Sequence, residues 1–196
     1  MTTTSIEWVR GDDGMRGNSW NPIVNCSVKS PGCINCYAMP IAARLARIGA
    51  TRAKYEGTTR RVNGNDVWTG HLNLDEKVLL APLRWRKPRR VFVNSMGDLF
   101  HEGVATSWLD RTFEVMRDCP RHTFMVLTKR PDVARGYLLD KPVLRNVWLG
   151  VSTENQQTAE ERIPVLFATR PRCGGSAPSR CSRRSISGSI CSSIGS

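Results

Sequence analysis

A chain of 196 residues can bury one substantial core, so one domain is the expectation. No apolar run nears the ~20 residues of a membrane helix, and the opening MTTTSIEW lacks a basic-then-apolar signal pattern; a cytoplasmic protein with reduced thiols and no membrane contact is predicted. The net charge of +12 suits a polyanionic partner, although five arginines and no acid fall from Arg170 onward, leaving +7 for the rest.

Residues 1–19 are polar and Gly-rich, with Ile6–Val9 as a short strand. Trp20–Val24 reads as the first strand of a barrel-type sheet. It enters a loop with three cysteines, Cys26, Cys33 and Cys36, within eleven residues. Pro31-Gly32 forces a turn before Cys33, and such a turn can aim backbone N–H groups at sulfur. Tyr37–Ile48 reads as a helix with Ala42, Ala43, Leu45, Ala46 and Ile48 on its apolar face, stopped by Gly49. Thr51–Asn65 reads as a loop or lid and Trp68–Leu74 as a strand. Asp75 is an N-cap for a helix carrying Val78, Leu79, Leu80 and Leu83 and ended by Pro88.

The basic run Arg84–Arg90 (RWRKPRR) contains Trp85, which either stacks on bases or sits on the core face of a helix end. Arg90–Ser95 is a strand, and residues 94–102 form the loop at its C-terminal end. Ser107 is placed to cap a helix over Trp108–Asp118. Thr123–Thr128 is a near-continuous apolar strand of the buried parallel kind. Lys129-Arg130-Pro131 follows, then a helix to about Leu139, a strand over Asn146–Val151 and a helix over Glu154–Ala168. The order is a β-loop-α unit repeated five times with connections too long for hairpins. That predicts an α/β fold of parallel strands with right-handed crossovers, whose site lies at the C-terminal strand ends.

Thiolates are soft ligands for zinc, copper(I) or iron–sulfur clusters. Structural zinc wants four closed ligands, and here a fourth would have to come from His71, His101 or His122, all distant in sequence. Three thiolates on a cubane leave one iron open. The remaining possibility is three free, packed cysteines.

The stretch from Asn21-Pro22 to Cys26 and then Cys33-Ile34-Asn35-Cys36-Tyr37-Ala38 resembles the cluster loop of radical S-adenosylmethionine (SAM) proteins, in particular the spore photoproduct lyase-like branch. The first spacer here is six residues where three is usual. The longer spacer is similar to that of a phage- and prophage-associated family of radical-SAM-like proteins. Val91–Glu102, Val126–Pro131 and Asn146–Ser152 with Glu154-Asn155 resemble the same family, so that the likeness spans about residues 5–168.

The resemblance implies a partial parallel (β/α) barrel of radical SAM type, truncated after about five β/α units, over residues 1–168. Cys26, Cys33 and Cys36 would then bind a [4Fe–4S] cluster whose open iron takes SAM. A flavodoxin- or ferredoxin-type reductant would drive cleavage of SAM to a 5′-deoxyadenosyl radical, with DNA or RNA as an expected substrate by analogy. Tyr37 would pack beside the cluster or adenine. Asn94, Ser95 and Asp98 would hold SAM's polar groups. Lys129, with Arg130 beside it, would meet a carboxylate or phosphate, and Ser152 and Glu154 would complete the ring. His101 and Glu102 are weaker candidates.

From Thr169 the Ser/Arg-rich text loses apolar periodicity and reads as a disordered tail over 169–196. A synonymous encoding of Pro171–Ser182 read in another frame gives AVRWVSAEPLL, which resembles the family's next strand. A frameshift would make Cys173, Cys181 and Cys191 accidents and remove the sixth strand. The competing readings are a zinc-stabilised basic nucleic-acid-binding module and an inactive truncated phage-derived protein.

Overall fold

The computed structural model describes residues 2–4, 6, 9 and 17–169. The tail beyond Thr169, with its expected frame change and three cysteines, lies outside the described residues. Of the expected strand Ile6–Val9 only Ile6 and Val9 are described, and neither lies in a strand.

Strand β1 (Thr2–Thr4) pairs antiparallel with β2 (Gly17–Trp20). The first parallel strand is therefore β2, which ends where the sequence predicts it to begin. It lies inside a stretch read as loop, because GNSW carries no strand pattern of its own. Burial comes from its neighbours: a Cβ on Gly17 would lie 2.5 Å from Val9 Cγ1. Beyond Pro22 the chain leaves this sheet, and β3 (Ile23–Val24) makes a separate short pairing further on.

After the cysteine loop, which contains one 3-10 turn at Pro31–Cys33, come α1 (Ala38–Leu45) and α2 (Gly49–Tyr55). Helix α1 ends at Leu45, short of the expected stop at Gly49, which is instead the first residue of α2. Strands β4 (Thr59–Val62) and β5 (Asn65–Trp68) form a hairpin. The expected lid is thus a helix and a hairpin. Asn63 (φ 47°) and Gly64 (φ 82°) supply the two left-handed residues of its tight turn. Of the expected strand Trp68–Leu74, only β6 (Asn73–Leu74) and the end of β5 are extended, and β6 pairs with β3 outside the main sheet.

Asp75 caps α3 (Glu76–Leu79) by accepting from the Val78 N–H at 3.0 Å. A 3-10 turn over Ala81–Arg84 follows, so the helix stops well before Pro88. Then come β7 (Arg90–Val93), α4 (Thr106–Asp118), β8 (Thr123–Thr128), α5 (Pro131–Leu138), β9 (Val147–Val151) and α6 (Gln156–Ala168). The N-cap of α4 is Ala105 and makes no side-chain cap bond, so Ser107 lies inside the helix. Asn155 caps α6 reciprocally with Thr158.

The main sheet runs β1-β2-β7-β8-β9, with β2, β7, β8 and β9 mutually parallel. Among the described residues there are four parallel strands, not five, because the Trp68–Leu74 segment never joins the sheet. Val91, Val93, Phe124 and Val126 alternate onto one face and pack with Leu109 and Met116 of α4 and Ala134 of α5. Each buried Val, Leu, Phe or Met side chain contributes about 1.5–3 kcal/mol. Phe92 and Met125 point to the other face with Val9, and Leu127 and Trp148 pack on them. A second core joins α1, α2 and β5 through Met39, Ala42, Tyr55 and Trp68. No described helix is long and apolar enough to cross a membrane.

Candidate functional site

The cysteine loop is fixed at its start by Asn25, which is fully buried with φ 92°. Asparagine tolerates this left-handed geometry better than most residues. Its Oδ1 accepts the Cys26 N–H at 2.6 Å, and its amide donates to Thr69 Oγ1 and the His71 carbonyl. Its own N–H reaches the Met96 carbonyl at 3.1 Å. This lays the loop against the turn after β7, where an added Cβ on Gly97 would stand 2.5 Å from the Asn25 carbonyl oxygen. Only glycine allows that approach. At the far end of the loop a Cβ on Gly32 would lie 3.0 Å from Glu154.

Behind the loop sits a buried ionic network. Arg130 is 3% exposed and pairs with Asp98 at 3.2 Å and with Glu102. The same guanidinium donates to Ser27 Oγ at 2.8 Å and reaches Cys26 Sγ at 3.7 Å. Asp98 accepts from four donors: the N–H groups of Phe100 and Lys129, the Thr128 hydroxyl and Arg130. Four donors match the roughly four acceptor sites of a carboxylate. Asp98 thus joins the β7 and β8 loops and has no acceptor to spare for the ribose or ammonium group predicted for it. Burial raises Glu102's pKa, but its backbone bond and the donors Arg130 and Lys29 more than offset this and hold it at about 2.

His101 takes the Gly103 N–H on Nδ1 at 3.0 Å, so its proton sits on Nε2 and points to Ser27 Oγ 2.8 Å away. Burial and the neighbouring Arg130 push it below its usual value, which keeps it neutral.

The thiols differ. Burial, with help from Asp98, pushes Cys26 up to about 11 against the opposing pull of Arg130. Burial also opposes ionisation of Cys33, but the backbone groups of Lys29 and Ser30 and the charge of Lys129 outweigh it and lower its pKa. The Lys29 N–H lies 3.5 Å from Cys33 Sγ.

Tyr37 is 56% exposed, and its hydroxyl donates to the Ser95 carbonyl at 2.9 Å. Ser95 donates to Asn21 Oδ1. Lys129 pairs with Glu154 at 3.1 Å, and Glu154 also accepts from Arg162. Ser152 ties β9 to β8 through its N–H on the Thr128 carbonyl. Asn94 is the exception to this saturation. It is 3% exposed with φ 55°, and among the described residues neither buried polar atom of its side chain has a hydrogen-bond partner.

Cys26, Cys33, Cys36, Tyr37, Asn94, Ser95, Asp98, Lys129 and Ser152 line one open cavity of about 170 Å³ at the C-terminal ends of the parallel strands. Glu154 stands outside the lining and buttresses Lys129 and Gly32. Trp68 and Ser27 also line the cavity and carry no sequence signal that marks them. Arg130, predicted with Lys129 to meet a carboxylate or phosphate, also lines the cavity and meets the carboxylates of Asp98 and Glu102. A basic residue directly after a buried strand, between two acids brought in by another loop, is visible only in three dimensions.

The donor set suits a thiophilic group, and the cysteines share one cavity. Among the described residues no three His, Cys, Asp or Glu side chains converge as a ready-made metal-ligand cluster. Cys26 Sγ faces the Ser27 carbonyl and Cys33 Sγ faces the Lys29 N–H, so both thiols have internal partners.

A family described as "Protein of unknown function (DUF5131)" matches residues 3–174. Searches of curated proteins and of solved structures found no match.

Proposed function

The chain belongs to the DUF5131 family, and we propose that it is a radical-SAM-like iron–sulfur protein built on part of a (β/α) barrel. The observation that carries this reading is that Cys26, Cys33 and Cys36 line a single cavity at the C-terminal ends of parallel strands. In this reading the three cysteines hold a [4Fe–4S] cluster. When bound, cluster and SAM supply reductive cleavage to a 5′-deoxyadenosyl radical, with the electron drawn from a flavodoxin- or ferredoxin-type donor, for use on a nucleic-acid substrate.

The chain's own residues prepare this site. Arg130 and Asp98 hold the loop against the sheet, and the guanidinium beside Cys26 opposes the burial that raises this thiol's pKa. Backbone donors do the same for Cys33. Lys129 presents positive charge near Cys33, steadied by Glu154.

A closed zinc site needs a fourth ligand. No histidine lines the cavity. His101 has both ring nitrogens engaged, His122 lies in an aromatic cluster with Trp85 and Phe124, and His71 packs beside Gly57. This supports three ligands with an open position over four.

The test is anaerobic reconstitution with iron and sulfide, scored by metal content and visible absorbance, against C26A/C33A/C36A. About four irons per chain and a broad band, both lost in the variant, are expected. SAM-dependent formation of 5′-deoxyadenosine under reductant follows. Stoichiometric zinc without iron uptake overturns the reading, and no metal of either kind leaves an inactive relic.

A further inference from the structure

At the opposite end of the sheet, β7, β8 and β9 begin side by side. Arg90 opens β7 opposite Thr123 of β8, and Phe124 stands opposite Val147 of β9. Arg121 and Arg145 each lie two residues before the start of their strand. Adjacent strands are about 4.8 Å apart, so these starts set basic residues in series along one edge. The segment Arg84–Arg90 runs into the same edge and is fastened there, with Arg121 Nη1 on the Arg86 carbonyl at 3.3 Å.

Arg84, Arg86, Lys87, Arg121 and Arg145 are all exposed. None of these five is in an ion pair among the described residues, whereas Arg52, Arg61, Arg111 and Arg117 each have a carboxylate. The acids that the topology brings to this end are Asp118, held by Arg117, and Asp140.

We infer that this edge is a docking face for the phosphate backbone of duplex nucleic acid, separate from the cysteine cavity at the other end of the strands. Four of the five groups are guanidiniums, which match phosphate oxygens in paired hydrogen bonds. Trp85 is not a stacking platform. Arg89 covers its ring at 5.2 Å and His122 meets it edge-on at 5.4 Å. Recognition therefore runs through phosphates rather than unstacked bases, which favours a duplex over a single strand. An anionic bilayer is the weaker fit, because the edge is made of strand starts and a 3-10 turn of four residues and holds no long amphipathic helix.

The test is fluorescence anisotropy of a mixed-sequence 20-base-pair DNA duplex against the full chain over a salt series. R84Q/R86Q/K87Q/R121Q is compared with R44Q/R47Q/R60Q/R135Q, which removes equal charge elsewhere. Each phosphate contact contributes about 0.9 to the slope of log affinity against log salt. The first variant should therefore lose about 3 to 4 units of slope and on the order of 100-fold in affinity at physiological salt. The second should keep the wild-type slope. C26A/C33A/C36A should bind as wild type, so this result is independent of the cluster. No duplex binding by the wild type, equal losses in both charge variants, loss confined to the cysteine variant, tighter binding of the single strand, or binding only to phosphatidylglycerol vesicles would each overturn the inference.

Discussion

Arg130→Met tests the claim that one buried guanidinium holds the cysteine loop. Its side chain is 2% exposed and that of its partner Asp98 is 7%. Breaking a buried pair from one side costs about 3–5 kcal/mol, because the remaining charge is stranded. Asp98 keeps three donors, and Glu102, 48% exposed, keeps Lys29. The lower end, about 3 kcal/mol, is therefore expected. With a urea slope of about 2 kcal/mol/M, the unfolding midpoint of the metal-free protein should fall by about 1.5 M. Arg130→Lys keeps the charge but loses the planar fork, so it should recover part of that loss. Amide exchange should accelerate at Ser27–Ser30 before it does in β8. The double variant with Asp98→Ala should be less destabilised than the two singles added together, by at least about 1 kcal/mol. A midpoint shift below about 0.5 M, or additivity in the cycle, refutes the reasoning.

Gly97→Ala should destabilise by about 1–3 kcal/mol, seen as a lower urea midpoint, since its Cβ meets backbone rather than a yielding side chain. Asn94→Gly removes an unpartnered buried amide, relieves a left-handed φ and adds chain entropy to the unfolded state. The metal-free protein should lose less than about 1 kcal/mol in urea unfolding, and a larger loss would mean that the amide has a partner. Glu102 titrates at about 2 when folded, below the usual 4.5. Its contribution is therefore complete above about pH 4.5 and lost as pH falls toward 2, so thermal midpoints of Glu102→Gln should be flatter than wild type across that window.

Three of the four parallel strands, β7, β8 and β9, are legible in the sequence. Buried parallel strands need apolar side chains on both faces, which leaves runs such as TFMVLT. Helix α5 follows from its start signal at Pro131, and α6, expected from Glu154, begins two residues later at Gln156. The Asn63-Gly64 turn was also there to be read, but β4 (TRRV) is basic and mostly exposed and β5 (NDVW) has its two apolar residues side by side, so alternation does not announce them. Strand β2 could not be found this way. Its residues Gly17, Asn18 and Ser19 are buried by β1, β7 and Val9, and none of that is local.

The same division runs through the site. Sequence alone determined the three cysteines, the turn at Pro31-Gly32 and the loops at the ends of β7, β8 and β9, because residue type and spacing are local properties. Tertiary structure decided which polar groups are spent and which are available. Asp98 and Arg130 neutralise each other because two loops meet behind the cysteines. Asn94, the residue between Val93 and Ser95, is left with a buried amide that no described residue answers. Burial and partnership depend on what the rest of the chain brings alongside, and no single stretch of sequence contains that information.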